Sequence, residues 1–311
     1  MTEPGPLLSV IVCTRDRAGP LARALESLVG QDVAAGSSEI VVVDNGSTDG
    51  TRDVVRRFAS RADVVYVYEP TPGLGRARNA GLRVARGRLI AFTDDDVIAH
   101  ADWIQKIVAR LTSDPGVAVV FGYTYGADHV SSVYSLHTAS HLYYLNDRRQ
   151  VWESTGGNNL AFRREALARV GAFDPRLGAG ARYPAAEDAE WIYRLLKAGL
   201  TGVYDPAVRV EHAPDLGRRP VDEVIVRDDA GAGAWLAKHA AGGDAYALRM
   251  FGLRLARAVG GRSLLRALTE RRSVALRLRA RRIRALLTPF VAMLLEEVWR
   301  KLTHRAPAEW R

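Results

Sequence analysis

Cysteine is almost absent from this chain of 311 residues, which contains only Cys13. A single cysteine excludes an internal disulfide framework and a metal site built only from thiolates. Lysine is also scarce, because only four of the 44 basic residues are lysine and the rest are arginine. Such a bias is typical of a GC-rich genome, so the preference for arginine carries little functional information.

Long apolar runs are missing as well. The apolar run Leu7–Thr14 is short and has no basic region before it, so it does not predict a signal peptide. The apolar run at 285–295 is shorter than the roughly 20 residues that a membrane-spanning helix needs. No GxxxxGK[ST] loop occurs, which argues against a P-loop nucleoside triphosphatase. We therefore expect a cytoplasmic protein, with at most peripheral contact at the inner membrane face.

Positive charge is concentrated at one end of the chain. The formal net charge is +9. From Arg249 onward there are 16 basic and 4 acidic residues, a net charge of +12, which leaves 28 basic and 31 acidic residues before it, a net charge of −3. The whole-chain charge alone would suggest a nucleic-acid partner. The acidic body and the few aromatic residues among the arginines argue against that partner.

Strand and helix patterns alternate through the first hundred residues. Short β-branched runs are followed by stretches in which apolar residues have helical spacing. This alternation predicts an α/β fold with a mainly parallel sheet flanked by helices. After residue 220 the sequence becomes helical and basic, which predicts a helical C-terminal extension at 221–311.

Polar side chains collect where the predicted strands end, the edge at which such sheets bind ligands. The residues in these positions are Thr14, Arg15, Asp44, Asp94, Asp95 and Asp96. Asp94 and Asp96 project to the same side by the two-residue strand period, so they could converge on one cation. Their hard oxygen atoms suit Mg²⁺ or Mn²⁺, either of which can neutralise a diphosphate. A solvated acidic loop would give the same pattern.

Three further features could carry chemistry. Glu187 and Asp188 open a predicted helix, where a carboxylate could act as a general base or simply offset the helix dipole. His212 follows the last predicted strand and could be a ligand or a surface residue. The glycine-rich turn at 73–79, which contains Arg78, could approach a phosphate, but its spacing is not that of a dinucleotide-binding loop.

The order of these motifs strongly resembles glycosyltransferase family 2, the inverting enzymes of GT-A (Rossmann-like) fold. The matching segments are SVIVCTRDR, VVVDNGSTDGT, GLGRARNAGL, LIAFTDDDV, GGNNLAFRRE, EDAEWIYRLLKAG and VRVEH, spread over residues 7–213. The resemblance implies a GT-A catalytic domain at 1–220, with a nucleotide-binding half at 1–113 and an acceptor half at 114–220. It implies transfer of a sugar from a nucleotide-diphosphate donor, with UDP expected, to an acceptor hydroxyl. Mn²⁺ or Mg²⁺ would be the cofactor, and cell-envelope polysaccharide, glycolipid or glycoconjugate synthesis the setting.

The resemblance also implies roles for individual residues. Those expected to hold the nucleotide sugar are Thr14, Arg15, Asp44, Arg78, Asn79, Asp94 and Asp95. Those expected beneath the donor sugar and acceptor are Gly156, Gly157, Asn158 and Trp191. Asp96 is expected to bind the metal directly, with Asp94 and His212. Asp188 is expected to be the catalytic base, with its neighbour Glu187 as the lesser candidate.

Other interpretations stay open at this point. A nucleotidyltransferase can share a related sheet and acidic metal site, although it gives no reason for the EDAEW helix. A catalytically silent sugar-nucleotide-binding protein would also carry these motifs. The basic region 249–311 could pack on the body, form a homodimer or lie on an anionic membrane surface. The acceptor is not identified by the sequence.

Overall fold

The computed structural model describes residues 5–34, 36–126, 137–153, 156–212, 220–259 and 273–303. Most of the predicted linker at 214–220 lies outside the described residues. So do residues 260–272 and 304–311 of the basic C-terminal region. The chain forms two compact units, Met1–Asp174 with Asp188–Arg218, and Pro175–Glu187 with Arg219–Arg311. We call these the catalytic unit and the helical unit.

The first half of the catalytic unit is a parallel sheet with a helix after each of its first three strands. Its strands are β1 (Leu8–Thr14), β2 (Ser38–Asp44), β3 (Val64–Tyr68) and β4 (Leu89–Asp94), and its helices are α1 (Ala18–Val29), α2 (Thr51–Ala59) and α3 (Leu74–Val84). Strand β1 pairs in parallel with β2 and β4, and β2 pairs in parallel with β3. The alternating pattern therefore predicted these elements correctly.

The second half of the unit makes the sheet mixed. It contains β5 (Val97–Ala99), α4 (Trp103–Ser113), β6 (Val117–Gly126), β7 (Tyr143–Leu145), a 3₁₀-helix (Arg148–Glu153), β8 (Asn159–Arg163), α5 (Glu165–Val170), α6 (Glu187–Lys197) and β9 (Thr201–His212). The strand order is β3-β2-β1-β4-β8-β6-β9-β5, with β7 also on β9. Strand β8 is antiparallel to both β4 and β6, so it joins two parallel blocks.

Strand β1 lies inside the sheet, and its register sets the site. Leu8, Val10, Ile11 and Val12 have no exposed surface, as expected for a strand covered on both faces. Thr14 is level with Asp44 on one neighbouring strand, and Cys13 is level with Asp94 on the other. The register therefore brings the polar strand ends to one edge of the sheet.

Among its described residues, the helical unit contains the helices α7 (Val221–Ala241), α8 (Ala245–Val259) and α9 (Ser273–Thr303). The Phe251 and Phe290 rings stack with centroids 3.8 Å apart. Gly233 lets α7 approach α9 closely, because a Cβ atom there would overlap the Leu286 carbonyl. Within the described ranges, no helix is long and apolar enough to cross a membrane.

Buried carboxylates of the helical unit are matched by arginines. Asp229 is fully buried, and its two oxygens accept hydrogen bonds from Arg254 Nε at 2.8 Å and Arg282 Nε at 2.7 Å. Glu297 is also buried and pairs with Arg176 at 2.8 Å and Arg300 at 2.6 Å. Each acid thus has two guanidinium partners.

The segment 175–187 belongs to the helical unit through a second cluster of such pairs. Glu296 accepts a hydrogen bond from the Tyr183 hydroxyl at 2.9 Å and pairs with Arg182 at 2.7 Å and Arg176 at 3.4 Å. The sequence analysis assigned this segment to the acceptor half of a domain ending at 220. That boundary stays a prediction.

Candidate active site

The β1 end is tied to the acidic run after β4. Thr14 is buried, and its hydroxyl donates a hydrogen bond to Asp95 Oδ2 at 2.6 Å. Arg15 instead lies half exposed, with its Nε 3.6 Å from Asp16 Oδ2. Of the two residues predicted to border the nucleotide, the structure therefore builds Thr14 into the acidic cluster and leaves Arg15 beside solvent.

The loops after β1 and β2 hold each other in place. Asp16, which has a positive φ of 53°, accepts a hydrogen bond from the Thr48 backbone N–H at 2.7 Å. Asp49 accepts one from the Ala18 N–H at 3.0 Å, at the start of α1. The NGSTD stretch thus serves largely to fix two loops at the strand ends.

Asp44 ends β2 and is buried. Its Oδ1 accepts a hydrogen bond from the Ser47 N–H at 2.8 Å, and its Oδ2 accepts one from the Tyr66 hydroxyl at 2.7 Å. Burial, together with the Asp44 carboxylate, raises the pKa of Tyr66 to about 12. The sequence analysis missed Tyr66, because one tyrosine within a strand gives no signal of a polar contact.

Asp94, Asp95 and Asp96 stand at the end of β4 and differ in their partners. Burial raises the pKa of Asp94, opposed by Arg78 and His212 and reinforced by the carboxylates of Asp96 and Asp188. Burial likewise raises the pKa of Asp95 to about 7, although Arg17 Nε lies 2.9 Å from Asp95 Oδ1. These acids are therefore only partly compensated by the chain's own cations.

Arg17 and His212 both lie beside Asp96. Arg17 Nη2 pairs with Asp96 Oδ2 at 2.5 Å, and His212 Nε2 lies 3.6 Å from Asp96 Oδ1. His212 reaches this place because it ends β9, level with Val97 of β5. The structure thus brings together Asp96 and His212, as the sequence analysis expected. Arg17 was missed, although TRDR offered a second arginine beside the predicted Arg15.

Asp188 meets the glycine loop before β8. Its Oδ2 accepts a hydrogen bond from the Gly157 N–H at 2.7 Å, and its Oδ1 accepts one from the Ala189 N–H at 2.8 Å. A Cβ atom at Gly156 would lie 3.3 Å from Asp188 Oδ2, so the loop passes close to the carboxylate. Backbone N–H groups therefore orient both oxygens of Asp188. The negative charge of Asp188 also acts on Asp94, whose pKa it helps to raise.

The same loop also approaches Arg78. A Cβ atom at Gly157 would lie 2.5 Å from Arg78 Cζ, so glycine is required there unless the guanidinium moves. Arg78 is buried, and its Cζ lies 5.3 Å from the Phe92 ring centroid and 5.4 Å from that of Phe173. Asn158, which follows Gly157 in the chain, is also buried. Arg78 thus supplies a fixed positive charge next to the acidic cluster.

Two predicted binding residues have other roles in the structure. Trp191 is fully buried, its Nε1 donates a hydrogen bond to the Gly171 carbonyl at 2.9 Å, and its ring packs on Phe162 and Phe173. These contacts place Trp191 in the core, because helical periodicity turns this face of α6 inward, and its predicted place beside the donor-sugar loop stays a prediction. Asn79 exchanges two hydrogen bonds with the Phe173 backbone, which occupy both ends of its amide.

Glu187, the lesser candidate for the base, is the first residue of α6 and is buried in the helical unit. Asp188 is the first residue of the second segment of the catalytic unit. Only Asp188 is held against the Gly157 N–H in the way described above. The geometry favours Asp188 of the two.

Comparison with known proteins agrees with this arrangement. Residues 9–171, more than half of the chain, match the family described as glycosyl transferase family 2. The chain belongs to glycosyl transferase family 2. The family resemblance seen in the motifs is confirmed.

Two similar proteins are named as sugar-transferring enzymes. Validoxylamine A glucosyltransferase of Streptomyces hygroscopicus subsp. jinggangensis is 40% identical over 135 residues, 43% of this chain and 32% of that enzyme. Glycosyltransferase AglE of Haloferax volcanii is 29% identical over 213 residues, 66% of this chain and 67% of that enzyme. The matched part of this chain spans about a third of the length of the Streptomyces enzyme.

Solved structures show the same fold. Mannosyltransferase PcManGT from Pyrobaculum calidifontis, in complex with GDP-Man and Mn²⁺, has a TM-score of 0.60 and 23% identity over 97% of this chain and 88% of that one. Staphylococcus aureus TarS 1–349 with UDP-GlcNAc has a TM-score of 0.58 and 17% identity over 92% of this chain and 90% of that one. These likenesses confirm the predicted α/β GT-A fold.

The acidic cluster can be tested for its fit to the divalent cation that the fold family implies. Within the described residues, no three His, Cys, Asp or Glu side chains are already arranged around a single point as metal ligands. At Asp96 the reason is visible, because Arg17 holds one of its oxygens. Two carboxylates and an imidazole, from Asp94, Asp96 and His212, are nevertheless a donor set that suits Mn²⁺. The residues present therefore fit the ion in their chemistry.

Proposed function

We propose that this chain transfers a sugar from a nucleotide-diphosphate sugar to an acceptor hydroxyl, with inversion at the anomeric carbon. The observation that carries the proposal is the position of Asp188. Its carboxylate is oriented by the N–H groups of Gly157 and Ala189, and its charge reaches Asp94 at the end of β4. A general base thus stands beside a candidate diphosphate site.

The reaction follows from this placement. The acceptor oxygen attacks the anomeric carbon from the face opposite the diphosphate, and its proton moves to Asp188. The bond from that carbon to the diphosphate oxygen breaks, and its electron pair leaves with the nucleoside diphosphate. One displacement inverts the centre and needs no enzyme nucleophile, which is consistent with a site built from carboxylates, arginines and backbone.

The departing nucleoside diphosphate gains one negative charge when the bond to the anomeric carbon breaks, and the chain offers fixed cations that can stabilise it. Arg78 is buried beside the Gly157 loop, and Arg17 lies between Asp95 and Asp96. Mn²⁺ or Mg²⁺, held by Asp96 with Asp94 and His212, would add Lewis-acid stabilisation of the departing diphosphate. Preorganised positive charge of this kind is usually the largest part of catalysis by such sites.

The nucleoside is proposed to lie at the ends of β1 and β2, near Thr14 and Asp44. Asp44 presents a buried carboxylate of the kind that hydrogen-bonds ribose hydroxyls or a base edge. UDP is the expected diphosphate, although the neighbours named above were solved with GDP-Man and with UDP-GlcNAc. The acceptor class proposed is a polysaccharide, glycolipid or other glycoconjugate.

A donor panel tests the proposal. The full chain is incubated with UDP-, GDP- and dTDP-sugars and Mn²⁺, and release of nucleoside diphosphate is measured with and without candidate glycan acceptors. We expect one donor to be turned over, and NMR of the product to show an inverted anomeric configuration. Release of inorganic diphosphate from a nucleoside triphosphate would instead identify a nucleotidyltransferase. Donor binding without any turnover would identify a silent binding protein.

A further inference from the structure

Within the described residues, one long face of helix α9 is exposed. The opposite face of the helix is buried and carries Leu286, Met293 and Glu297. The exposed residues with large apolar side chains are Leu287, Val291, Leu295, Val298, Trp299 and Leu302. Their spacing of three and four residues places them on one side of the helix. We call them the apolar stripe.

The same face changes character along its length. Arg277, Arg281 and Arg284 continue the line of the apolar stripe toward the start of the helix, at the same spacing of three and four residues. These arginines are exposed, and Arg281 pairs with Asp222 at 2.9 Å. The face therefore runs from a cationic half to an apolar half, with Pro289 near the change.

Among the described side chains of α9 itself, every exposed charged residue is basic. Over 276–303, where the side chains of the helix are described, the exposed residues include five basic ones and no acidic one. Two of these five basic residues, Arg300 and Lys301, directly follow Trp299 at the apolar end of the helix. Glu296, next to the stripe in sequence, is engaged by Tyr183 and Arg182. The surface thus combines exposed apolar side chains with exposed basic ones, of which Arg281 and Arg300 also pair with Asp222 and Glu297.

The exposure itself calls for an occupant. Leu302 is 77% exposed, Leu295 63% and Trp299 53%, and soluble surfaces seldom leave contiguous apolar side chains uncovered without a partner. Leu295, Val298, Trp299 and Leu302, together with Glu296, line a shallow cavity of about 460 Å³. Tryptophan beside arginine and lysine is the combination found where proteins meet the headgroup region of a bilayer.

We propose that the α9 face binds the surface of an anionic membrane, with the apolar stripe inserted at the headgroup boundary and the arginines on the lipid phosphates. Burial of apolar side chains and attraction of basic residues to anionic lipid add in such contacts. A second copy of the chain fits less well. Parallel pairing of two α9 helices sets arginines against arginines, and antiparallel pairing buries the arginines of one copy on the apolar half of the other.

Vesicle sedimentation of the full chain tests this. The probes are vesicles of phosphatidylcholine alone and vesicles that also contain phosphatidylglycerol. We expect at least about tenfold stronger binding to the anionic vesicles, weakened by added salt because surface charge is screened. Equal binding to both vesicle types, or binding to neither, would overturn the proposal.

Paired variants locate the contact. Leu295→Gln with Leu302→Gln should weaken anionic-vesicle binding at least about tenfold, because two apolar side chains no longer insert. The matched control is Leu248→Gln with Leu253→Gln, which changes leucines of α8 that are 55% and 53% exposed. The control should bind within about twofold of the unchanged chain; an equal loss in both pairs would refute the assignment to the α9 face.

The arginine half is tested separately. Arg277→Gln with Arg284→Gln should weaken anionic-vesicle binding about tenfold or more and leave binding to neutral vesicles unchanged. Unfolding midpoints should match those of the unchanged chain for all three pairs, since every changed side chain is exposed. Light scattering without vesicles distinguishes the rival occupant, because a dimer that dissociates in the leucine variant would overturn the membrane proposal.

Discussion

Buried carboxylates occur in both units, and their partners differ. In the helical unit, Asp229 and Glu297 each have two arginines within 2.8 Å. In the catalytic unit, Asp94, Asp95 and Asp96 follow one another along the chain, and the pKa values of the first two are raised. The negative charges of Asp229 and Glu297 are therefore balanced by their arginines. The negative charges of Asp94 and Asp95 remain unfavourable in their surroundings.

This difference shows where an outside cation or a proton is needed. A buried carboxylate with matched arginines gains nothing from a further positive ligand. A carboxylate whose charge is only partly balanced is stabilised when it binds a metal ion, and carboxylates with perturbed pKa values are typical of functional sites. The comparison therefore assigns stability to the acids of the helical unit and chemistry to those of the catalytic unit.

The largest effect is expected from Asp188→Asn. The amide can still accept the Gly157 hydrogen bond but cannot take the acceptor proton, so turnover should fall about 10²–10⁴-fold. Donor affinity, measured by titration calorimetry, should stay within about twofold. Asp147→Asn, at a carboxylate outside the cluster, serves as the control and should keep full turnover. A loss of turnover smaller than about tenfold in Asp188→Asn would contradict the role of Asp188 as general base.

Next in size is the loss of stability in Asp229→Asn. An amide cannot balance two guanidinium groups, so the free energy of unfolding should drop by about 3–5 kcal/mol in urea denaturation. Asp222→Asn is the matched control, because Asp222 pairs with Arg281 at an exposed site. The control should change stability by less than about 1 kcal/mol. Similar losses of unfolding free energy at the two sites would contradict the claim that the two arginines balance the charge of Asp229.

A smaller effect concerns pH and Asp95. Its pKa in the folded state is about 7, above the ordinary value of 3.8. A raised folded-state pKa stabilises the fold at low pH, and this contribution is lost as the pH rises from about 4 to about 7. Over that window the unchanged chain should lose ~3 kcal/mol more of its unfolding free energy than Asp95→Asn.

Unfolding by urea at several pH values measures this difference. Asp53→Asn is the control, because Asp53 is an exposed carboxylate of α2 paired only with Arg56 at 3.3 Å. Its pH profile should run parallel to that of the unchanged chain. A parallel profile in Asp95→Asn too would show that Arg17 and Thr14 fully compensate Asp95.

The smallest effect is expected at Tyr66. Tyr66→Phe removes the hydroxyl that donates to Asp44 Oδ2 at 2.7 Å, and should lower the unfolding free energy by ~1 kcal/mol. Tyr68→Phe, two residues along the same strand, is 56% exposed and should change nothing measurable. Indistinguishable variants would show that the hydrogen bond to Asp44 contributes no stability.

Much of the fold follows from sequence patterns. Alternating apolar runs predicted the first four strands and their helices, because each strand is β-branched and each helix has one apolar face. Strand β5 was missed, since three residues carry no period. The antiparallel insertion of β8 between β4 and β6 depends on tertiary pairing, which local propensity does not encode.

The candidate site divides in the same way. Asp96 and His212 were predicted together and lie 3.6 Å apart, because strand ends set their positions. The burial of Trp191 was not predicted, since its residue type and its nearness to Asp188 in sequence do not reveal that the side chain turns into the core. Arg17 was missed because its two pairs, with Asp95 and Asp96, join residues far apart in the chain.

The central claim is that the carboxylates after β4 bind an external cation together with a nucleoside diphosphate. Calorimetric titration of Mn²⁺ into the full chain, with and without UDP or GDP, tests it most directly. The account predicts one site that strengthens when the diphosphate is present, that is lost in Asp96→Ala, and that is retained in Asp222→Asn. Mn²⁺ binding of equal strength in Asp96→Ala, or no binding by the unchanged chain with either diphosphate, would contradict it.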